Sequence, residues 1–267
     1  PGMLHARVLR SPYAHARVVR VDTTALVGIP GVRAVVPRDD VPGVPYNSVY
    51  SGLSEKYVKH LVEDQQVLNE VVRYVGEPVA AVAADDPLTA ERALERIEVE
   101  YEPLPYVLDP EAALAPGAPQ LHPHSPDNIV GRPIVFRIGD LETGFAQADV
   151  ILEDRYHTPR HQGCPMEPHV CVASWDPQGK LTLWTSTQIP FRVRFVLAKV
   201  LGMSEGRIRI IMPEVGGGFG AKQEVDIEPL CALLARKARR PVKLELSRTE
   251  EFSATTTRHA SIMDLKM

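Results

Sequence analysis

Val215-Gly216-Gly217-Gly218-Phe219-Gly220-Ala221-Lys222 is the stretch on which the reading of this chain turns. A strand-like run, Arg207-Ile208-Arg209-Ile210-Ile211-Met212, leads into it, and a helical pattern from Val225 to Arg239 leads out. Glycines at such a junction admit positive φ and let a ligand reach the main chain without meeting a Cβ. The amides of the turn, and of the helix start after it, are expected to face an oxygen-rich or anionic group. A phenylalanine amid four glycines puts bulk where a plain turn needs none. The loop reads as built to hold something.

Bulk properties narrow the choice. The chain has 267 residues, enough for two domains, with 44% hydrophobic and 24% charged residues. A formal net charge of -4 gives no electrostatic footprint for nucleic acid. The one basic run, Arg236-Lys237-Ala238-Arg239-Arg240, falls in the last turn of a helical pattern, where cations offset the helix dipole. No apolar stretch approaches the ~20 residues of a membrane span. Pro1-Gly2 reads as loop and Leu265-Lys266-Met267 as strand, so the chain is expected to be cut at both ends. Cys164, Cys171 and Cys231 lack Cys-x-x-Cys spacing, which argues against a disulfide framework, zinc ribbon or iron–sulfur site and fits a reducing, cytoplasmic setting.

Around the loop the pattern is α+β. Prolines crowd the segment from Leu108 to Pro133 and periodicity is lost there, which predicts a first domain over 1–110, a linker over 111–133 and a second domain over 134–267. In the first part, His5–Arg10, Ala16–Val21 and Val32–Val36 read as strands, and Asp22 caps a short helix over Thr23–Leu26. Pro78–Ala84 is nearly all apolar, as suits a strand covered on both faces. Asp86 and Pro87 open a helix with Leu88, Leu94 and Ile97 along one side, and Glu98–Tyr101 follows as a strand to complete a strand–helix–strand unit. The second part predicts a helix near Leu141–Ala148, a strand over Asp149–Tyr156 and a hairpin of Val170–Trp175 with Leu181–Trp184. A helix then runs from Pro190 to Gly202 with Phe191, Phe195, Ala198 and Gly202 on one stripe and Val193, Leu197 and Leu201 beside it, and Pro241–Leu246 closes the unit as a strand.

The glycine loop admits three chemistries. A P-loop needs Gly-Lys followed by Ser or Thr; here Ala221 precedes Lys222 and Gln223 follows, so the metal-binding hydroxyl is missing. A nicotinamide-dinucleotide fold would use Gly216, Gly218 and Ala221, with Glu245 at the end of a later strand as the ribose-binding acid. Against it, Pro213-Glu214 sets a kink and a carboxylate just before the loop, and such units normally open a domain. The third chemistry couples the loop to Trp184-Thr185-Ser186-Thr187-Gln188-Ile189-Pro190. Both segments lie at strand-to-helix junctions, and adjacent strands would set the Gln188 carboxamide beside the amides near Phe219 and Gly220. A neutral carboxamide, both donor and acceptor, suits an oxo or hydroxo ligand better than a phosphate; as a purely local feature, Gln188 would only satisfy backbone near a helix start. Among the histidines, His157 and His161 are separated by Pro159, which breaks any aligning helix, and His122-Pro123-His124 lies in the linker, so neither pair reads as a metal site. His161 and His169 are expected to be structural partners around Met166-Glu167-Pro168, with Glu167 bonding loop amides.

Together, Pro165-Met166-Glu167-Pro168-His169, Thr185-Ser186-Thr187-Gln188-Ile189-Pro190 and Gly216-Gly217-Gly218-Phe219-Gly220-Ala221-Lys222 resemble motifs of the molybdenum-hydroxylase family, which includes xanthine dehydrogenases and aldehyde oxidoreductases. Arg10-Ser11-Pro12-Tyr13-Ala14-His15-Ala16 and Tyr74-Val75-Gly76-Glu77-Pro78-Val79-Ala80 resemble that family's hammerhead domain. The resemblance implies an α+β fold: a hammerhead-type domain followed by part of a first molybdopterin-binding domain. It implies a molybdenum ion held by a pterin dithiolene, in bacteria often the cytosine dinucleotide form, with no direct protein ligand to the metal. Gln188 would hydrogen-bond an oxygen ligand of the molybdenum, and Gly217, Gly218, Phe219 and Gly220 would cradle the centre. Phe219 and Gln223 would border the substrate, and Gln223 stands where purine-oxidising members carry a glutamate, which disfavours xanthine. The reaction implied is hydroxylation of an aldehyde or N-heterocyclic carbon with water as oxygen source. Electrons would pass to 2Fe-2S and FAD centres on partner subunits. The family's general base is a glutamate in a later domain, and Glu214, Glu224 and Glu228 do not match it, so the rest of the site is expected from a longer parent chain or a separate subunit. The alternatives are an NAD-dependent dehydrogenase and a non-catalytic assembly subunit.

Overall fold

The computed structural model describes residues 1–48, 62–129 and 135–267; Pro133, last of the linker prolines, lies outside the described residues. Strands β1 (Leu4–Arg10), β2 (Ala16–Asp22), β3 (Val32–Val36), β4 (Val71–Val72) and β5 (Pro78–Ala84) lead to helix α1 (Pro87–Leu94) and strand β6 (Glu98–Pro103). Short helices α2 (Pro110–Ala113) and α3 (Leu141–Ala146) precede β7 (Glu153–Thr158), β8 (His161–Gln162), β9 (Val170–Trp175) and β10 (Leu181–Thr185). Then come α4 (Pro190–Leu201), β11 (Ile208–Ile211), α5 (Glu228–Ala238), β12 (Val242–Glu245), α6 (Arg248–Ala254), β13 (Thr257–Arg258) and β14 (Ser261–Lys266).

The apolar run Pro78–Ala84 explains the centre of the molecule. Successive side chains of a strand point to opposite faces. Ala80 and Val82 pack with Leu26, Ala93 and Ile97 on one side, while Ala81 and Ala83 join the main core on the other. Asp86 caps α1 by accepting the Thr89 amide at 2.9 Å, with Pro87 in the first turn. Leu88 departs from the sequence expectation: it is exposed, and the small Ala90 and Ala93 face inward where the helix lies on β1 and β5. Nor does β6 lie beside β5. It pairs with β2 in a separate sheet ordered β4-β2-β6, so strand, helix and strand do not form one parallel unit.

The main sheet has seven strands in the order β11-β10-β9-β12-β1-β5-β3 and draws on both sides of the proline-rich segment. Its hinge is the parallel pairing of β1 with β12, Leu4 opposite Val242 and Ala6 opposite Leu244. Helix α5 lies across β9, β12 and β3, and Glu228 to Ala235 are all buried. It begins at Glu228, three residues later than its apolar pattern suggests, because Pro229 is tolerated only in a first turn. In α4 the buried stripe is Val193, Val196, Leu197 and Val200. Phe191 and Phe195 face outward instead, beneath the guanidinium groups of Arg194 and Arg192 at 5.4 and 5.0 Å from the ring centroids. Strand β7 starts at Glu153, four residues beyond its expected start, and is matched residue for residue with β14.

Candidate functional site

Strands β10 and β11 are adjacent and parallel, with Leu181 opposite Ile208 and Trp184 opposite Ile211. Their carboxyl ends therefore open on the same edge, and the segments that follow emerge side by side. The Gln188 amide donates to the Lys222 carbonyl at 2.9 Å, and the Gly220 amide donates to Gln188 Oε1 at 3.1 Å. A Cβ on Gly218 would lie 2.5 Å from Gln188 Oε1, so only glycine lets the carboxamide rest on the loop. Gly217, Phe219 and Gly220 have φ of 96°, 50° and 89°, a tight corner in the left-handed region. For Phe219 that region is unfavourable, a strain of the kind found at ligand sites. Phe219 is 76% exposed, and Gln188 and Gln223 are exposed as well.

Behind the corner a buried lysine locks the loop. Lys222 is 1% exposed, and its ammonium donates to Glu167 Oε2 at 2.8 Å and Ser186 Oγ at 2.6 Å. The same carboxylate oxygen accepts Ser186 Oγ–H at 2.7 Å and the Gly216 amide at 2.7 Å. Partial burial works against its charge, yet these donors hold the Glu167 carboxyl below the usual carboxylate range. The three motif segments are thus joined through one oxygen. Glu167 bonds a loop amide as its sequence context suggests, whereas the lysine was missed: a cation at the end of a glycine loop looks like a ligand for a phosphate, and only the partner at Glu167 reveals a structural role.

A second buried pair supports the corner from beneath. His169 Nδ1 lies 2.9 Å from Glu251 Oε1, and its Nε2 lies 3.1 Å from the Ala221 carbonyl. The His169 amide also donates to Glu251. Burial alone would lower the His169 pKa, but the bond to Glu251 and the charge of Asp226 raise it. Burial likewise opposes charge on Glu251, and His169 outweighs it, holding that carboxyl low. His161 is not part of this arrangement. It sits in β8 opposite Arg258, so the expected pairing of His161 with His169 does not occur; His169 finds its partner on α6. Asp226, beside His169, is pushed up to about 7 by burial and by the charge of Glu224. Burial also raises Glu228, which accepts Thr185 Oγ1–H at 2.8 Å.

The topology does not favour a dinucleotide site. Two strands, β10 and β9, separate β11 from β12, so Glu245 does not end the strand next to the glycine loop. It pairs instead with Lys243 at 2.6 Å. No helix starts at the loop either, since α5 opens only at Glu228, beyond a stretch of turns. The helix-start amides expected to face a ligand are therefore absent from the corner, and bare loop amides with one carboxamide remain. A cleft of about 580 Å³ borders the corner, walled by Phe219, Gly220, Ala221, His161, Thr257 and Arg258 among others.

Two family models cover this geometry: the aldehyde oxidase and xanthine dehydrogenase a/b hammerhead domain over residues 1–105, and the molybdopterin cofactor-binding domain over residues 121–267. The chain belongs to the molybdenum hydroxylase family, as part of its molybdenum-binding subunit. It is 37% identical over its whole length to the xanthine dehydrogenase molybdenum-binding subunit of Escherichia coli O157:H7, of which it covers 35%. Quinoline 2-oxidoreductase from Pseudomonas putida 86 shares the fold with a TM-score of 0.84 at 34% identity, over 99% of this chain and 34% of that one. Aldehyde oxidoreductase from Desulfovibrio gigas gives a TM-score of 0.87 at 29% identity, over 99% of this chain and 29% of that one. The chain thus spans about a third of the length of these relatives. The fold is α+β, a hammerhead domain joined to a molybdopterin-binding domain. Among the described residues, no helix is long and apolar enough to cross a membrane.

The corner fits the family's cofactor. Its groups are neutral, the space beside Gly220 is open for 4 Å around a notional Cβ, and the Gln188 side-chain nitrogen has no partner among the described residues.

Proposed function

We propose that this chain supplies one wall of the molybdopterin site in an oxidoreductase that hydroxylates an aldehyde or N-heterocyclic carbon with oxygen from water. The observation that carries this reading is the Gln188 carboxamide seated on the glycine corner, 3.1 Å from the Gly220 amide. Names among the relatives, a xanthine dehydrogenase, a quinoline oxidoreductase and an aldehyde oxidoreductase, support the substrate class. Gln223 offers a neutral amide at the loop's end, which favours an aldehyde or a heterocycle other than xanthine.

When bound, the molybdenum cofactor supplies two-electron redox chemistry at the substrate carbon. The residues of this chain bind and orient. Gln188 presents hydrogen-bond donors toward the cofactor, Gly217, Gly218 and Gly220 let it approach the main chain, and Phe219 shields the substrate side from water. Fixed donors of this kind need no reorganisation during reaction. Lys222, Glu167 and Ser186 hold the loop in register. The proton step is assigned to a glutamate in the remaining molybdopterin-binding part, since Glu224 bonds Ser48 and Glu228 bonds Thr185. The electrons would be taken up by iron–sulfur and flavin partner subunits, and the cytosine dinucleotide is the pterin form this reading favours. The free, unbridged Cys171 and Cys231 support a cytoplasmic setting.

The test is Gln188→Ala in the intact protein. Turnover of an aldehyde or N-heterocycle should fall by roughly 10²–10³-fold with molybdenum content retained. Unchanged turnover would favour a non-catalytic assembly role, and tight NAD binding without molybdenum would defeat the reading.

A further inference from the structure

Apart from the residues of the glycine corner, the fold brings a third ligand to the histidine pair of the proline-rich segment. Asp64 precedes Gln65, which exchanges backbone hydrogen bonds with Tyr46 at 2.9 and 3.1 Å. Its Oδ2 lies 2.8 Å from His122 Nδ1 and 3.7 Å from His124 Nε2. One ligand atom from each residue falls within 4.8 Å of the others. We propose that Asp64, His122 and His124 form a binding site for a divalent transition ion of the zinc class.

The chemistry matches that ion. Two imidazole nitrogens and one carboxylate oxygen are the donors zinc takes, at about 2.0–2.2 Å, and a tetrahedral site spaces such atoms roughly 3.3 Å apart. The two spacings from Asp64 straddle that value and all three ligand atoms lie within 4.8 Å of one another, so side-chain rotation closes the set on an ion: the Asp64–His122 contact opens and the His124 contact closes. All three side chains are only about a third exposed, at 29%, 34% and 30%. A site with three protein ligands and an open side takes water in the fourth position.

The frame is already rigid. Pro123 fixes its own φ between the two histidines. Gln120 Nε2 donates to the carbonyls of His122 at 2.9 Å and Pro123 at 3.1 Å, and the Ser125 amide donates to the His122 carbonyl at 3.0 Å. Arg73 Nε holds the Leu121 carbonyl at 3.0 Å. An ion here would clip the proline-rich segment to a residue 58 positions earlier, closing a long loop of the unfolded chain. The ion would tie the segment down through three protein ligands and keep one coordination position open to water.

Zinc added to the intact protein in metal-free buffer, followed by dialysis and elemental analysis, should leave one equivalent per chain. In His122→Ala/His124→Ala that equivalent should drop at least tenfold while molybdenum content stays constant. Cobalt(II) in place of zinc should give visible ligand-field bands in the unaltered protein and none in the double variant. Should the double variant fail to fold, Asp64→Asn serves: zinc should raise the melting temperature of the unaltered protein by a few degrees and leave Asp64→Asn unmoved. Failure of the unaltered protein to retain zinc overturns the proposal, as does equal retention by the double variant.

Discussion

The Gly220 amide donates to the carboxamide oxygen of Gln188 at 3.1 Å across 32 residues of chain, which places a side-chain amide and a left-handed peptide corner in one rigid unit. Gly218 makes this possible, because any Cβ there would meet the same oxygen at 2.5 Å. Gly218→Ala should displace Gln188 and lower turnover by about 10²-fold, as misplacement of a fixed group by ~1 Å does. The melting temperature should change less, since the atoms that must give way belong to the exposed end of the Gln188 side chain. Steady-state kinetics beside a thermal melt checks both outcomes.

Removing the buried ammonium has the opposite emphasis. Lys222→Met strips Glu167 Oε2 of one of its three donors and leaves Ser186 without its lysine partner. Breaking a buried pair costs about 3–5 kcal/mol, and the partial exposure of Glu167 reduces this to about 2–3 kcal/mol. Denaturant unfolding of Lys222→Met against the unaltered protein measures it; a difference near zero would show that the lysine does not hold the loop.

The His169–Glu251 pair should confer stability only within a pH window. The folded pKa of His169 is raised, so its contribution is full below the unfolded value of about 6.5 and is lost as pH rises through the folded value. The folded pKa of Glu251 is lowered, so its contribution is full above about 4.3 and is lost as pH falls through the folded value. Glu251→Gln should therefore destabilise most between about pH 4.3 and 6.5, by about 3 kcal/mol, and less near pH 8.5. Unfolding curves at pH 5.5 and 8.5 compare the two.

Asp226 carries the reverse sign. Its folded pKa of about 7 exceeds the unfolded ~3.9, so the folded state holds a proton that the unfolded chain has shed, and stability declines as pH rises between those values. One of its carboxylate oxygens is buried without a hydrogen-bond partner. Asp226→Asn should melt about level with the unaltered protein near pH 4, somewhat higher at pH 5 and highest above it from pH 7 to 8. A constant difference across that range would remove Asp226 as the cause.

Most strand positions and the meeting of Gln188 with the glycine corner were legible because they rest on local signals: apolar runs, prolines at the starts of four helices, and two segments that each leave the end of a strand. What could not be read was the choice of neighbour. Nothing in Glu98–Pro103 announces that it pairs with β2 rather than β5, and nothing in Glu251 announces His169. Of the two stripes read on the Pro190–Gly202 helix, spacing alone did not say that the one with Val193 and Leu197 is covered and the one with Phe191 and Phe195 faces out. Pro229 did carry a usable signal, since a proline inside the pattern from Val225 to Arg239 fixes the helix start near it.

One consequence of the β1–β12 pairing concerns synthesis. Strand β1 leaves the ribosome well before β12, yet one of its edges is reserved for Val242–Leu244, more than two hundred residues further along. The nascent protein therefore carries an open, adhesive flank while all the intervening residues are made, and its principal sheet closes late. A break between residues 105 and 121, where the two family models part, would leave matching flanks on two polypeptides, and these would find each other when made together.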